Sequence, residues 1–169
     1  MLRNGAPPDS TVSGSVVDSP ALSVDGKSPP GYTEGATGDA GDVIYSPISP
    51  GPLENKIAST FRGSTYTKKV LTEDTVFYRV YGGNAEIVGN YMSRTPQMGG
   101  LQSQFDLALV PEWGNTATYV TKVTVPKGTV IYEGFAAPQT INGGAGMLMG
   151  GGSQIFIPEA RFNPSWFGN

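Results

Sequence analysis

Residues 116–158 constrain the fold more than any other stretch. Residues 118–125 and 129–132 are rich in β-branched and aromatic residues in near-alternation, and Pro126-Lys127-Gly128 separates them. Runs of this kind bounded by Pro and Gly read as strands, and the short Gly-containing connection predicts a hairpin. A glycine-rich segment, 142–152, then predicts a mobile loop with Met147-Leu148-Met149 as an apolar tip. Residues 153–158 (SQIFIP) supply a last strand. Upstream, 75–81 (TVFYRVY) is a further strand, and 64–71 has strand propensity. Short helices are expected at 53–61, where Leu53, Ile57 and Phe61 share a face, and at 101–110, which Pro111 ends. Phe162, Trp166 and Phe167 are expected to dock the C-terminal segment on the body. The expected fold class is α+β: a compact, twisted, mostly antiparallel sheet with short helices over residues 53–169.

Residues 1–52 differ in kind. They are rich in Pro, Gly, Ser and Asp, and Tyr32 and Tyr45 are their only aromatics. Such a segment buries too little apolar area to offset the entropy of ordering it, so a disordered linker or tail is expected. Two basic residues stand there against six acidic ones, net −4, while 53–169 hold nine against eight, net +1. The body therefore carries no basic stripe of the nucleic-acid-binding kind. Gly26-Lys27-Ser28 resembles the end of a phosphate loop, but Ala21 replaces its first glycine and Pro29-Pro30 forbids the following helix. There is no apolar run of membrane-spanning length and no signal-peptide core at the N-terminus, so export is expected to depend on another chain or an upstream portion.

The absence of Cys and His excludes a disulfide framework, a thiolate zinc site, a Ser-His-Asp triad and a Cys-His pair. Neither a cofactor nor a metal is expected. On the 75–81 strand, alternation places Phe77, Arg79 and Tyr81 on one face. An arginine between two aromatics is either an edge residue whose stem covers apolar surface or an anion-binding group with aromatic walls. The 142–152 loop does not fit the dinucleotide fingerprint, since Met149 interrupts it and no strand–helix context surrounds it.

Several short motifs occur in a fixed order. They are Tyr78-Arg79, Gly89-x-Tyr91, Ala108-Leu109-Val110-Pro111 with Asn115, Val125-Pro126-x-Gly128, Glu133-Gly134-x-x-Ala137-Pro138 and Gly151-Gly152-Ser153-Gln154. Over roughly residues 64–158, this order resembles the NAD glycohydrolase domain of the tuberculosis necrotizing toxin family. The resemblance implies a fold related to that of ADP-ribosyltransferase toxins. It also implies NAD+ or NADP+ as substrate, a larger carrier protein upstream, delivery into a target cell and a cognate immunity protein. By resemblance Arg79 binds the dinucleotide phosphates, with Arg94 as a second phosphate ligand. Gly89 and Tyr91 shape the nicotinamide–ribose pocket, and Gln154 is the catalytic glutamine. Arg79 and Gln154 are then expected to face one cleft.

The chemistry suits a chain without His or Cys. The nicotinamide ring carries a positive charge, so it departs as a neutral amine and needs no general acid, unlike an ordinary glycoside. What remains is a cationic clamp, aromatic walls and a polar group that orients ribose or water. Arg79 and Arg94, Phe77, Tyr81 and Tyr91, and Gln154 are the candidates. Glu133, with Gln139, is the candidate catalytic carboxylate region of a second possibility, transfer of ADP-ribose to a protein or RNA acceptor. A third is a non-enzymatic β-rich binding module.

Overall fold

The computed structural model describes residues 41–168. The tail expected over residues 1–40, with Gly26-Lys27-Ser28, lies outside the described residues. The chain runs through β1 (Val43–Tyr45), α1 (Asn55–Ala58), β2 (Tyr66–Val70), β3 (Thr75–Gly83), β4 (Tyr91–Met92) and α2 (Gly100–Asp106). It continues through β5 (Asn115–Val125), β6 (Val130–Phe135), β7 (Gln139–Ile141), β8 (Gly146–Leu148) and β9 (Ser153–Phe156). One sheet has the order β1-β2-β6-β9-β4, a long ribbon pairs β3 with β5, and a small hairpin pairs β7 with β8. All these pairings are antiparallel, so the mixed, sheet-rich class with short helices holds.

The five-stranded sheet is apolar on both sides, and β-alternation separates them. Ile131, Ile155, Ile157 and Met92 face the ribbon and meet Phe77, Val123 and Val125 in one core. On the other side Tyr66, Tyr132 and Phe156 pack with Phe61, and Leu53, Ile57 and Ala58 cover them. The spacing of Leu53, Ile57 and Phe61 thus delivers the expected apolar face, although only 55–58 are helical.

Several expectations are corrected. The 118–125 and 129–132 strands do not pair with each other, since β5 joins β3 and β6 lies between β2 and β9. The reason sits in the turn. Leu71 N–H donates to the Thr129 carbonyl, Gly128 N–H donates to the Leu71 carbonyl, and Lys127 N–H donates to Asp74 Oδ1 at 2.9 Å. Pro126-Lys127-Gly128 is therefore tied to the turn between β2 and β3, and the chain changes sheets there. Second, β1 lies inside the segment read as linker. Val43-Ile44-Tyr45 pairs with β2, and Tyr45 packs on Tyr66 with ring centroids 5.5 Å apart.

Third, the helix expected over 101–110 ends at Asp106. Leu109 N–H donates to the Gln104 carbonyl across Ala108, which takes a left-handed φ of 48°. This is the 6→1 bond of a Schellman-type closure, with alanine at the left-handed position where glycine is usual. Fourth, residues 142–152 are not one loop, because β8 returns on β7 and Leu148 is buried while Met147 and Met149 stay exposed. At the C-terminal end Trp166 and Phe167 pack on the core, but Phe162 is 77% exposed.

Phe77 is wholly buried between the ribbon and the sheet, so it is a core residue and not a wall of a binding site. Phe77→Ala is expected to lower stability by about 3–5 kcal/mol in urea unfolding. Loss of a ligand-binding wall would leave the unfolding midpoint unchanged.

Candidate functional site

A cleft of about 700 Å³ opens where α1, β3, β4 and the start of β9 meet the segment after α2. Its size lies within the about 300–1,000 Å³ typical of small-molecule sites. Arg79 and Gln154 both line it, as does Tyr91. Gln154 reaches it because β9 pairs with β6 in the register Gly134↔Gln154 and Glu133↔Ile155. Gly134 is required beside it, since a Cβ there would lie 2.8 Å from the Phe61 ring and 3.0 Å from the Thr65 carbonyl.

Gln154 is held firmly. Its Nε2 donates to the Thr60 carbonyl at 3.1 Å and to Thr60 Oγ1 at 2.8 Å. The amide nitrogen is thereby committed to Thr60, and the carbonyl oxygen is the group left to accept a bond. Thr60 Oγ1 in turn donates to the Ile57 carbonyl at 2.7 Å. Tyr91 stands on the same side of the sheet, its ring 5.0 Å from that of Phe156. Burial pushes its phenol pKa up, and a polar contact with the Thr60 side chain works in the other direction.

Arg79 is not a free clamp. Its Nε and Nη2 donate to the Glu86 carbonyl, at 3.2 and 3.0 Å, and its Nη1 donates to the Tyr91 carbonyl at 3.0 Å. A guanidinium has five N–H groups, so one remains on each terminal nitrogen. Burial lowers its pKa from the ordinary value, yet arginine stays charged. Gly89 makes this placement possible, because a Cβ there would lie 2.4 Å from the guanidinium carbon. Gly89 thus acts on the cleft through Arg79 and does not itself line it.

Three further candidates sit elsewhere. Glu133 points to the opposite side of the sheet from Gln154, as adjacent positions on paired strands must. There it binds Arg94 through both carboxylate oxygens, and Lys69 stands 3.5 Å away and also reaches Asp42 at 3.1 Å. Arg94 is spent on this ion pair and lies over the Phe77 ring, 5.5 Å from its centroid, so it is not a phosphate ligand of the cleft. Tyr81 lines a separate shallow groove and packs against Tyr119, its cross-strand partner, at 5.4 Å. Phe77, Arg79 and Tyr81 share strand parity but reach a core, a pair of carbonyls and a groove.

The cleft also contains residues the sequence did not single out as site residues. Thr60, Tyr78, Trp113 and Asn115 line it, with Lys56 and Glu54. Trp113 carried a usable signal, a large aromatic in a loop after Pro111, where it remains 59% exposed. Thr60 carried none, since a threonine after a four-residue helix is ordinary. Gln139 lines the cleft, whereas Glu133, with which it was grouped, does not. No protein-family model, curated protein or solved structure matches this chain.

Burial pushes the Glu133 pKa up, but hydrogen bonding to Arg94 and the charges of Arg94 and Lys69 outweigh it, so the net shift is downward. A folded pKa below the unfolded value gives stability that is present above the ordinary glutamate range and lost as pH falls through the folded value. Glu133→Gln should therefore lower the melting temperature most above about pH 5.5, with the gap from wild type closing below about pH 4. Thermal melts across that range check it, and a gap that widens toward acid would contradict it.

Proposed function

We propose that this chain is a toxin effector domain that hydrolyses NAD(P)+ to nicotinamide and ADP-ribose or its phosphate. The observation that carries this reading is the immobilised amide of Gln154. Its nitrogen is tied to Thr60 beside Tyr91, so it presents a carbonyl oxygen as its remaining group in a cleft of dinucleotide size. A fixed acceptor can orient a ribose hydroxyl or the attacking water without reorganising during the reaction. In the reaction, water adds to the anomeric carbon as the C–N bond breaks. Nicotinamide leaves with the bonding pair as a neutral amine, and the water's spare proton passes to solvent.

The rest of the cleft fits that substrate. Tyr78, Tyr91 and Trp113 supply aromatic surface for flat rings. Arg79 and Lys56 supply two positive charges against the single carboxylate of Glu54, a balance that suits a pyrophosphate. Arg79 meets it already oriented, with one N–H on each terminal nitrogen to give. The ADP-ribosyltransferase-related fold, the upstream carrier and the immunity protein belong to the same proposal and rest on the motif resemblance. Transfer to a macromolecular acceptor is the weaker alternative, because the carboxylate it relied on, Glu133, is turned away and neutralised by Arg94 and Lys69.

Purified protein incubated with NAD+ or NADP+ and no acceptor should release nicotinamide and the ADP-ribosyl product in equal amounts. Gln154→Ala should lower kcat by about 10²–10³-fold, the scale of losing one oriented polar group, with the folded state preserved. Release only on adding a protein or RNA acceptor would replace hydrolysis by transfer. No release under either condition would overturn the enzymatic assignment.

A further inference from the structure

We propose that Thr60 is a positioning residue of this site, the group that orients the Gln154 amide toward the substrate; the proposal rests on the glycohydrolase reading above. Thr60 gathers several hydrogen bonds at the edge of the cleft. Its hydroxyl donates to the Ile57 carbonyl at 2.7 Å and accepts from Gln154 Nε2 at 2.8 Å. Its carbonyl accepts from Gln154 Nε2 at 3.1 Å and from Ala137 N–H at 2.8 Å. Gln154, Ala137 and Ile57 all line the cleft, so one residue ties together three parts of its wall.

The chemistry of the hydroxyl makes the arrangement directional. A threonine hydroxyl has one hydrogen to donate and two lone pairs to accept with. The hydrogen is committed to the Ile57 carbonyl, so only acceptor capacity faces Gln154. An amide turned the other way would set its carbonyl oxygen against the Thr60 carbonyl and an oxygen with no hydrogen to offer. That orientation is repulsive, and the nitrogen-inward one is bonded twice. Thr60 thus determines which end of the Gln154 amide the substrate meets. The anchor is rigid, since Thr60 follows α1 and its neighbour Phe61 is wholly buried in the aromatic cluster under the sheet. Gln154 itself is only 8% exposed, so a lost partner is not simply replaced by solvent.

Thr60→Val keeps the shape and removes the hydroxyl, whereas Thr60→Ser keeps it. In the full chain, Thr60→Val should lower kcat by about 10–100-fold, the effect of misplacing a reacting geometry. It should leave KM within about threefold, whereas Thr60→Ser should retain kcat within about threefold of wild type. A second readout needs no turnover. In glutamine-labelled protein, the Gln154 side-chain amide hydrogens should exchange slowly in wild type and Thr60→Ser, and fast in Thr60→Val. Wild-type kcat and unchanged exchange in Thr60→Val would overturn the proposal, as would Thr60→Ser behaving like Thr60→Val. If the wild-type protein releases no nicotinamide, the glycohydrolase reading fails, and the exchange pattern alone decides the role of Thr60.

Discussion

Strands β6 and β9 pair so that Gly134 stands opposite Gln154 and Glu133 opposite Ile155, and both sides of the sheet take their character from that register. A slip of one residue would exchange them, because strand side chains alternate with a period of two. On one side lie Gln154, Tyr91 and the aromatic cluster beneath α1. On the other lie the ion pair of Glu133 with Arg94 and the aliphatic core. Gly134 is what lets β6 serve both, since any side chain there would collide with Phe61. The cleft is thus a consequence of sheet pairing, with its polar groups held by Thr60 in the turn after α1 and by the backbone of Glu86 and Tyr91.

The charged residues divide along the same line. Arg94, Lys69, Glu133 and Asp42 form a chain that ties the residue before β1 to β2, β6 and the segment after β4. Those charges are used within the protein. Arg79 occupies an intermediate position: three of its N–H groups hold the backbone around Glu86 and Tyr91, and the rest of its charge faces the cleft. An arginine held this way loses little side-chain entropy when an anion arrives, which favours binding over a freely swinging side chain. Gly89 belongs to that device, as the residue whose missing Cβ leaves room for the guanidinium.

Much of the fold was legible because its signals are local. The strand at β3, the apolar face of residues 53–61 and the last strand before Pro158 follow from periodicity and breakers. The partners of those strands were not legible. Pro126-Lys127-Gly128 resembles a hairpin turn, and only the bonds from Leu71 and Asp74 reveal that it joins two sheets. Ala108 fits a helical pattern, and only the tertiary setting forces it into the left-handed conformation that ends α2. At the site, Arg79, Tyr91 and Gln154 were legible through motif order and do meet at one cleft. Glu133 and Arg94 attracted notice as charged residues near the motifs, but their side of the sheet depends on register. Thr60 left no trace in the sequence, because its importance lies in what folds onto it.

The most direct test of the central claim is a crystal structure of the Gln154→Ala protein with NAD+ bound. The nicotinamide riboside should lie against Tyr91 and Thr60, with the pyrophosphate on the two remaining N–H groups of Arg79. A dinucleotide bound instead on the Glu133–Arg94 side of the sheet, or in the groove between Tyr81 and Tyr119, would contradict the account of this cleft.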